Sequence, residues 1–466
     1  MKVAFVTSYY SGDQLDAVTT SFFRHVVQEL TKAGHETVVF ALGDKDFDDI
    51  GRDSGPVESN ISISCRQGDL ARYNNLHSLA CAPVFSWVFT RAYETYRVHK
   101  ENIQKFAPDV VLCVKALDGM FWRCFENMPV ALMSVTPQFE IMRENFDGNL
   151  NPFDTNLVTA VETEALRAMN AISCPSKLMR DTIVDVAGVA EEKIGTYRIA
   201  IKESEVPKAW TGRSSFPHVV YIGTQERYKG IDVLIDAVPA IVAKFDEALI
   251  TVAGESPPLF GETISYQEKL KERLGKFAKH VEWIPALDAD QRASLVTASD
   301  IAVFPFRYCG CMYHVAEAMA VGGVVVCSAV GSLKESLANG ETAVLVEPDN
   351  ASVLASAVIE LTKDKNLREK ISKAAKHYIQ ENHSTQTALN DVVSLCQRAI
   401  DDKRGAPPLS SSSSSSLQSP FASPSLKYWV AALEDFCQKP YFPDLLDSAY
   451  AKGLAAGIAS QPAIKR

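Results

Sequence analysis

The chain has 466 residues, 47% hydrophobic and 22% charged, with a formal net charge of −10 at pH 7. That length exceeds one ordinary core and fits two domains plus additions, and the acidic balance argues against nucleic acid as a partner. No apolar run approaches the roughly 18 residues of a membrane-spanning helix, and the ten cysteines, scattered without a C-x-x-C pair, suit a reducing, cytoplasmic compartment.

Residues 3–7 read as a short buried strand rather than a signal-peptide core. The loop 8–20, with a single Gly12, leads into a helix expected over 21–33, where Phe22, Val26, Val27 and Leu30 recur at helical spacing. Gly34 ends it, and 37–41 is the next strand. This βαβ opening starts a nucleotide-binding type of sheet without a G-x-G-x-x-G fingerprint. Residues 44–68 are polar and are expected to be turn-rich loop; Asp44-Lys45-Asp46 reads there as solvated loop rather than a metal-binding D-x-D. Residues 83–103 form an aromatic-faced helix with basic neighbours. It fits either a core-facing helix or peripheral contact with a membrane surface.

Residues 110–114 and 129–135 are further buried strands, and the segment 136–144 at the carboxyl end of the second is expected to be an acceptor-side loop. Helices over 155–169 and 176–186 flank a strand at 171–175. A polar, proline-containing stretch over 202–217 places the domain boundary at 205/206.

The second half restarts the pattern. A strand ends at Gly223, followed by Thr224 and a turn carrying Lys229 and Gly230 before a helix over 231–244. A lysine at such a turn puts an ammonium beside a helix N-terminus, a cradle for a diphosphate. Strands over 249–254, ending in Gly254, and 281–285 follow. Asp288-Ala289-Asp290 precedes an apolar-periodic helix and reads as a helix cap rather than a metal site. Then comes a strand over 301–304, a loop carrying Cys309, Met312 and Tyr313, and a helix bearing Glu317. Ligands of open parallel sheets bind outside the carboxyl ends of strands, so this loop faces a phosphate-bearing ligand. Glu317 can reach back to ribose hydroxyls, or is simply a solvated helix residue. Cys309 and Cys311 lack a second pair to complete a four-ligand metal site, so no metal is expected. A strand at 340–348 and helices over 351–362, 366–381 and 385–400 complete the domain. Seven serines at 410–416 with flanking prolines make 401–425 a flexible linker, and 426–466 reads as a short helical tail able to meet a partner.

The segments 1–10, 30–36, 221–235, 317–322, 331–335 and 340–346, in this order and spacing, resemble the retaining nucleotide-sugar glycosyltransferases of the family 4 type. The resemblance implies an α/β protein of two facing Rossmann-like domains, the GT-B fold, with an acceptor-side domain over 1–205 and a nucleotide-sugar-binding domain over 206–400. It implies transfer of a hexose from a UDP- or GDP-sugar to an acceptor hydroxyl on a glycan, lipid or protein, with retention and without metal or cofactor. Lys229 matches the lysine that neutralises the donor diphosphate, and Glu317 the second glutamate of an E-x7-E pair that holds the ribose. Gly12, Gly223, Thr224, Gly254, Cys309, Met312 and Tyr313 fall on donor-contacting positions. Cys309 stands where the first glutamate is expected, Met312 replaces a glycine, Thr224 an arginine, and no histidine occurs near Val135. Arg227 and Arg307 are candidate replacement charges. The alternative is a non-catalytic relative that binds a sugar nucleotide or a partner enzyme.

Overall fold

The computed structural model describes residues 1–8, 17–43, 47–50, 62–68, 82–146, 152–201, 216–256 and 265–405. Gly12, the D-x-D at 44–46, most of the linker and the tail at 426–466 lie outside these residues.

Near-continuous Val/Ile/Leu runs demand that both faces of a strand be covered, which in a single chain is met by parallel strands with helical crossovers. The first sheet contains β1 (Lys2–Thr7), β2 (Glu36–Gly43), β3 (Phe47–Ile50), β4 (Ser62–Gln67), β5 (Val110–Cys113), β6 (Val130–Met133), β7 (Ala171–Cys174) and β8 (Ile194–Thr196). Their spatial order is 3-4-2-1-5-6-7-8, parallel except for the β3–β4 pair. Five helices accompany them: α1 (Ala17–Lys32), α2 (Pro83–Phe106), α3 (Ala116–Phe125), α4 (Gln138–Phe146) and α5 (Pro152–Ala168), followed by α6 (Lys177–Ala187).

The second sheet contains β9 (His218–Ile222), β10 (Leu249–Ala253), β11 (Val281–Ile284), β12 (Ile301–Phe304), β13 (Val325–Ser328) and β14 (Val344–Val346). Its order is 11-10-9-12-13-14, all parallel. Renumbered from one, this is 3-2-1-4-5-6, the doubly wound order whose reversal point lies between its first and fourth strands. Here those are β9 and β12; in the first sheet the equivalent reversal lies between β1 and β5. Covering helices are α7 (Ile231–Lys244), α8 (Tyr266–Leu274), α9 (Ala289–Thr297), α10 (Tyr313–Ala320), α11 (Gly331–Ser336), α12 (Ala351–Lys363) and α13 (Lys365–Asn382). Asp288 caps α9 as expected: its side chain accepts the Gln291 N–H at 2.8 Å, and Gln291 returns the bond at 3.0 Å.

Two expectations are corrected, and the choice left open for the 83–103 helix falls to its core-facing reading. The polar stretch 44–68 holds two strands, β3 at the sheet edge and β4 between it and β2; β4 buries Ile63 and Cys65 on alternate positions while its ends are wetter. The segment 136–144 is mostly helix: Pro137 starts α4, and both Glu162 oxygens accept its first free N–H groups, from Gln138 (2.8 Å) and Phe139 (2.9 Å). The aromatic face of α2 is not available to a membrane. Phe89, Tyr93 and Tyr96 pack on Phe121 of α3 at 5.4–5.8 Å between ring centroids, and even Glu94 and His99 of α2 are fully buried. Among the described residues no helix is long and apolar enough to cross a membrane.

The last helix, α14 (Thr385–Gly405), leaves the second sheet and braces the first. Arg398 donates to the Ile172 carbonyl and Ser173 Oγ, both at 3.0 Å, and to the Lys193 carbonyl at 3.2 Å.

Candidate functional site

The two domains meet where the carboxyl ends of their strands converge. Glu335 of α11 accepts the N–H groups of Lys177 (2.9 Å) and Leu178 (2.7 Å), the first residues of α6 in the other domain. A carboxylate on a helix N-terminus is electrostatically favoured. Ser176 caps the same helix, accepting from Met179 N at 3.2 Å, while its hydroxyl donates to the Gly310 carbonyl at 3.3 Å. Gly310 is packed so closely that a Cβ there would stand 3.0 Å from the Val135 carbonyl and 3.2 Å from Thr136 Oγ1. The loop of Cys309 and Gly310 is thus docked on the first domain through the α6 terminus. Glu335→Ala removes two charge-assisted hydrogen bonds and is expected to lower stability by about 1–3 kcal/mol, read as a lower urea midpoint.

At the β9–β12 reversal point, β9 ends at Gly223 and β10 at Gly254. Gly254 has φ +143°, and a Cβ there would lie 2.0 Å from the Gly223 carbonyl oxygen, so two bare backbones stack. Gly230, at φ +65° before α7, would bring a Cβ to 1.7 Å from the Pro305 carbonyl oxygen. The short 3-10 turn Arg227–Lys229 is thereby pressed against the loop after β12. Lys229 Nζ lies over the rings of Tyr228 (4.8 Å) and Phe306 (4.6 Å), and no carboxylate among the described residues pairs with it. The aromatic rings hold the ammonium without neutralising it.

Arg307 is not a replacement phosphate ligand. Its guanidinium is forked onto Asp232, with both bonds at 2.8 Å, and also pairs with Asp349 and the Arg227 carbonyl. It staples the Lys229 turn to the loop. Asp232 is held below the usual carboxylate range: burial pushes it up, but the Arg307 hydrogen bonds and charge outweigh that.

Glu317, partly buried on α10, is engaged by Arg292 of α9, which is 3% exposed. Nε donates to one oxygen at 2.9 Å and Nη2 to the other at 2.5 Å. Tyr313 also hydrogen-bonds this carboxylate. Burial raises the Glu317 carboxyl against the pull of Arg292. Of about four acceptor positions on a carboxylate, three are occupied.

The remaining positions named from sequence divide by side chain and backbone. The Cys309 thiol is buried, donating to the Cys311 carbonyl at 3.5 Å and accepting from Ser332 Oγ at 3.4 Å. Burial pushes this thiol up, against nearby Lys229. Met312 is buried at the N-cap position of α10. Thr224 spends its hydroxyl on Glu226 (2.6 Å) and its carbonyl on the Tyr221 hydroxyl (2.7 Å). Gly254 stacks on Gly223, and His314 of α10 lies against the Gly223 turn within electrostatic reach of Lys229 and of Arg292, the partner of Glu317. Two of these escaped the sequence reading: Arg292, and His314 in the first turn of α10. Among the described residues no group of three His, Cys, Asp or Glu side chains could hold a metal ion.

The first domain has its own small crevice at its β1–β5 reversal point, lined by Ser8, Lys115, Asp118, Thr136, Gln138 and Glu162 among others. Asp118 is 1% exposed; Oδ2 accepts the Ser8 N–H at 3.1 Å, and Oδ1 has no partner among the described residues. Burial pushes the Glu162 carboxyl up to about 7, against the Gln138 and Phe139 N–H donors and Lys115. Thr136 lies both in this crevice and against Gly310, so the two crevices are neighbours.

Two doubly wound domains whose reversal-point crevices face each other across a docked loop define the GT-B architecture of glycosyltransferases. Residues 204–378 match the model of the family described as glycosyl transferases group 1. The chain is 24% identical over 364 residues to a phosphatidyl-myo-inositol mannosyltransferase of Mycolicibacterium smegmatis, covering 74% of this chain and 81% of that one. It is 27% identical over 251 residues to a glycogen synthase of Mycobacterium tuberculosis, covering 53% of this chain and 58% of that one. Among solved structures, sucrose-phosphate synthase from Thermosynechococcus elongatus superposes with a TM-score of 0.67 at 17% identity, covering 86% of this chain and 99% of that one. Anabaena Alr3699/HepE in complex with UDP and glucose superposes at 0.61 and 15% identity, covering 85% and 99%.

Proposed function

We propose that this protein transfers a sugar from a UDP- or GDP-sugar to an acceptor hydroxyl, with retention of configuration and without a metal ion. The carrying observation is Lys229: an ammonium held on two aromatic rings beside Gly223, Gly254 and the α10 N-terminus, with no carboxylate partner among the described residues. A cation so placed wants an anion, and a diphosphate supplies one while the flat glycine backbones admit its approach. In this reading Lys229 and the helix terminus stabilise the departing diphosphate. That group, lying on the face attacked, takes the acceptor's proton, so no separate base is required. The HepE complexes with UDP and UDP-glucose support a sugar nucleotide as the donor class.

The acceptor is assigned to the crevice of the first domain, where Asp118 Oδ1, without a partner among the described residues, would accept a hydrogen bond that orients an acceptor hydroxyl. Asp118→Asn is expected to lower acceptor-dependent turnover about 10- to 100-fold while leaving nucleotide affinity unchanged. The overall test is release of nucleoside diphosphate from UDP- and GDP-sugars across a panel of polyols, glycans and glycolipids, with NMR of the product's anomeric centre. Products of inverted configuration, or turnover abolished by chelators and restored by a divalent ion, would overturn the finer reading.

A second reading has its own observation. Glu317 is largely occupied by Arg292 and Tyr313, and Cys309 carries no charge for the transferred sugar. Both fit a protein that binds a sugar nucleotide without turning it over. Tight calorimetric binding with no diphosphate release on any acceptor would select it.

A further inference from the structure

His314 stands at the second position of α10, partly buried, where the helix N-terminus meets the donor crevice. A Cβ built on Gly223 would lie 3.7 Å from its Nδ1, so the imidazole packs directly on the turn between β9 and Thr224. Three elements face it. The 3-10 turn brings Lys229, α9 brings Arg292, and its own helix brings the Tyr313 ring at 6.2 Å and, one turn on, Glu317. Arg292 is committed to Glu317. Lys229 has only aromatic rings beneath it, and His314 has no hydrogen-bond partner among the described residues. The imidazole is thus held at a helix N-terminus within electrostatic reach of two cations, of which Arg292 is answered by Glu317 and Lys229 by no carboxylate among the described residues.

We propose that His314 contacts the diphosphate of the bound nucleotide and that the nucleotide enters the site together with one proton, held by His314. The inference rests on the donor reading given above. In the free protein, burial, reinforced by Arg292 and Lys229, holds the imidazole well below the usual histidine range, which favours its neutral form. A dianionic diphosphate reverses the local potential, and an opposite charge within about 4–6 Å raises a basic group by about 1–3 units. The sign follows. A group that binds its proton more tightly in the complex makes affinity rise as pH falls, between its value in the complex and its value in the free protein. The proton comes from solvent and no covalent bond is made or broken. The positive charge so recruited lies against the same turn as Thr224, whose own side chain supplies none.

The test is titration calorimetry of the full chain with UDP-glucose and GDP-mannose, whose diesterified diphosphates do not titrate near neutrality. It is run at pH 6.0 and 7.5 in buffers of different ionisation enthalpy. For whichever probe binds, the wild type is expected to take up between about half and one proton at pH 6.0 and to bind about three- to tenfold more tightly there than at pH 7.5. His314→Gln is expected to bind more weakly, with no proton uptake and a flat pH profile; His314→Asn serves the same purpose if Gln disturbs α10. Wild-type binding without proton uptake, or an unaltered pH profile in a folded variant, overturns the inference and leaves the donor reading intact. Failure of the wild type to bind either probe overturns both.

Discussion

Arg292→Met will lower the stability of the protein by about 3–5 kcal/mol, the usual loss when one partner of a buried ion pair is removed. Arg292 is 3% exposed; its guanidinium makes both hydrogen bonds to Glu317 and adds a third from Nη1 to the Leu287 carbonyl at 2.7 Å. Without it, α10 must carry a carboxylate into the core beside Tyr313 with no counter-charge. Glu317 will answer by holding its proton, since burial already raises it and Arg292 is what opposes that rise. A carboxyl whose folded value is raised contributes stability at low pH that is lost as pH rises through the unfolded and then the folded value. The deficit of the variant will therefore be larger at pH 7.5 than at pH 5. The double substitution Arg292→Met with Glu317→Leu removes both charges and should recover most of the loss, because a buried pair is often neutral against apolar residues of similar volume. Urea denaturation of the wild type, the single and the double variant at both pH values decides the matter. A single-variant loss below about 1 kcal/mol would mean that solvent screens the pair and that Glu317 is free for other work.

This ion pair shows what the sequence could and could not convey. Strand–glycine–turn–lysine–glycine–helix is a local pattern, so Gly223, Lys229 and Gly230 could be placed at a crevice from spacing alone. Glu317 was equally visible, as one carboxylate after a buried strand. Its partner lies 25 residues earlier on a different helix, and a lone arginine on a short helix reads as solvated until the packing of α9 on α10 is known. Arg307 failed in the opposite direction. It stood in the right loop for a phosphate ligand, yet its charge is consumed by Asp232, 75 residues away. His314 sat inside the most informative stretch and drew no notice, because nothing in a sequence says that a histidine has two cations for neighbours. Asp118 was missed with the whole of α3, which follows β5 after only two residues, Val114 and Lys115. An aspartate in the first turn after a buried strand was the available signal. The alternation of strands and helices was legible because it depends on period and length, which are local quantities. Pairings across tens of residues are not.

Lys229→Ala is expected to reduce transfer by a few hundredfold, about 3–4 kcal/mol of lost stabilisation of the departing diphosphate. The effect should fall on turnover more than on the KM for donor, since charge on the leaving group grows toward the transition state and an interaction strengthened there is lost mainly from kcat. Stability should change little: the lysine makes no salt bridge among the described residues, and its ammonium rests on the rings of Tyr228 and Phe306. Lys229→Arg keeps the charge but not the compact ammonium that fits above two rings, so partial recovery, within about tenfold of wild type, is the expected rescue. Lys229→Met keeps the apolar stem and lacks the charge, and should match alanine. That ordering, with arginine above methionine and alanine, separates a charge acting on phosphate from a side chain that merely fills space. Equal turnover in the three variants and the wild type would remove Lys229 from the site and, with it, the observation on which the donor assignment stands.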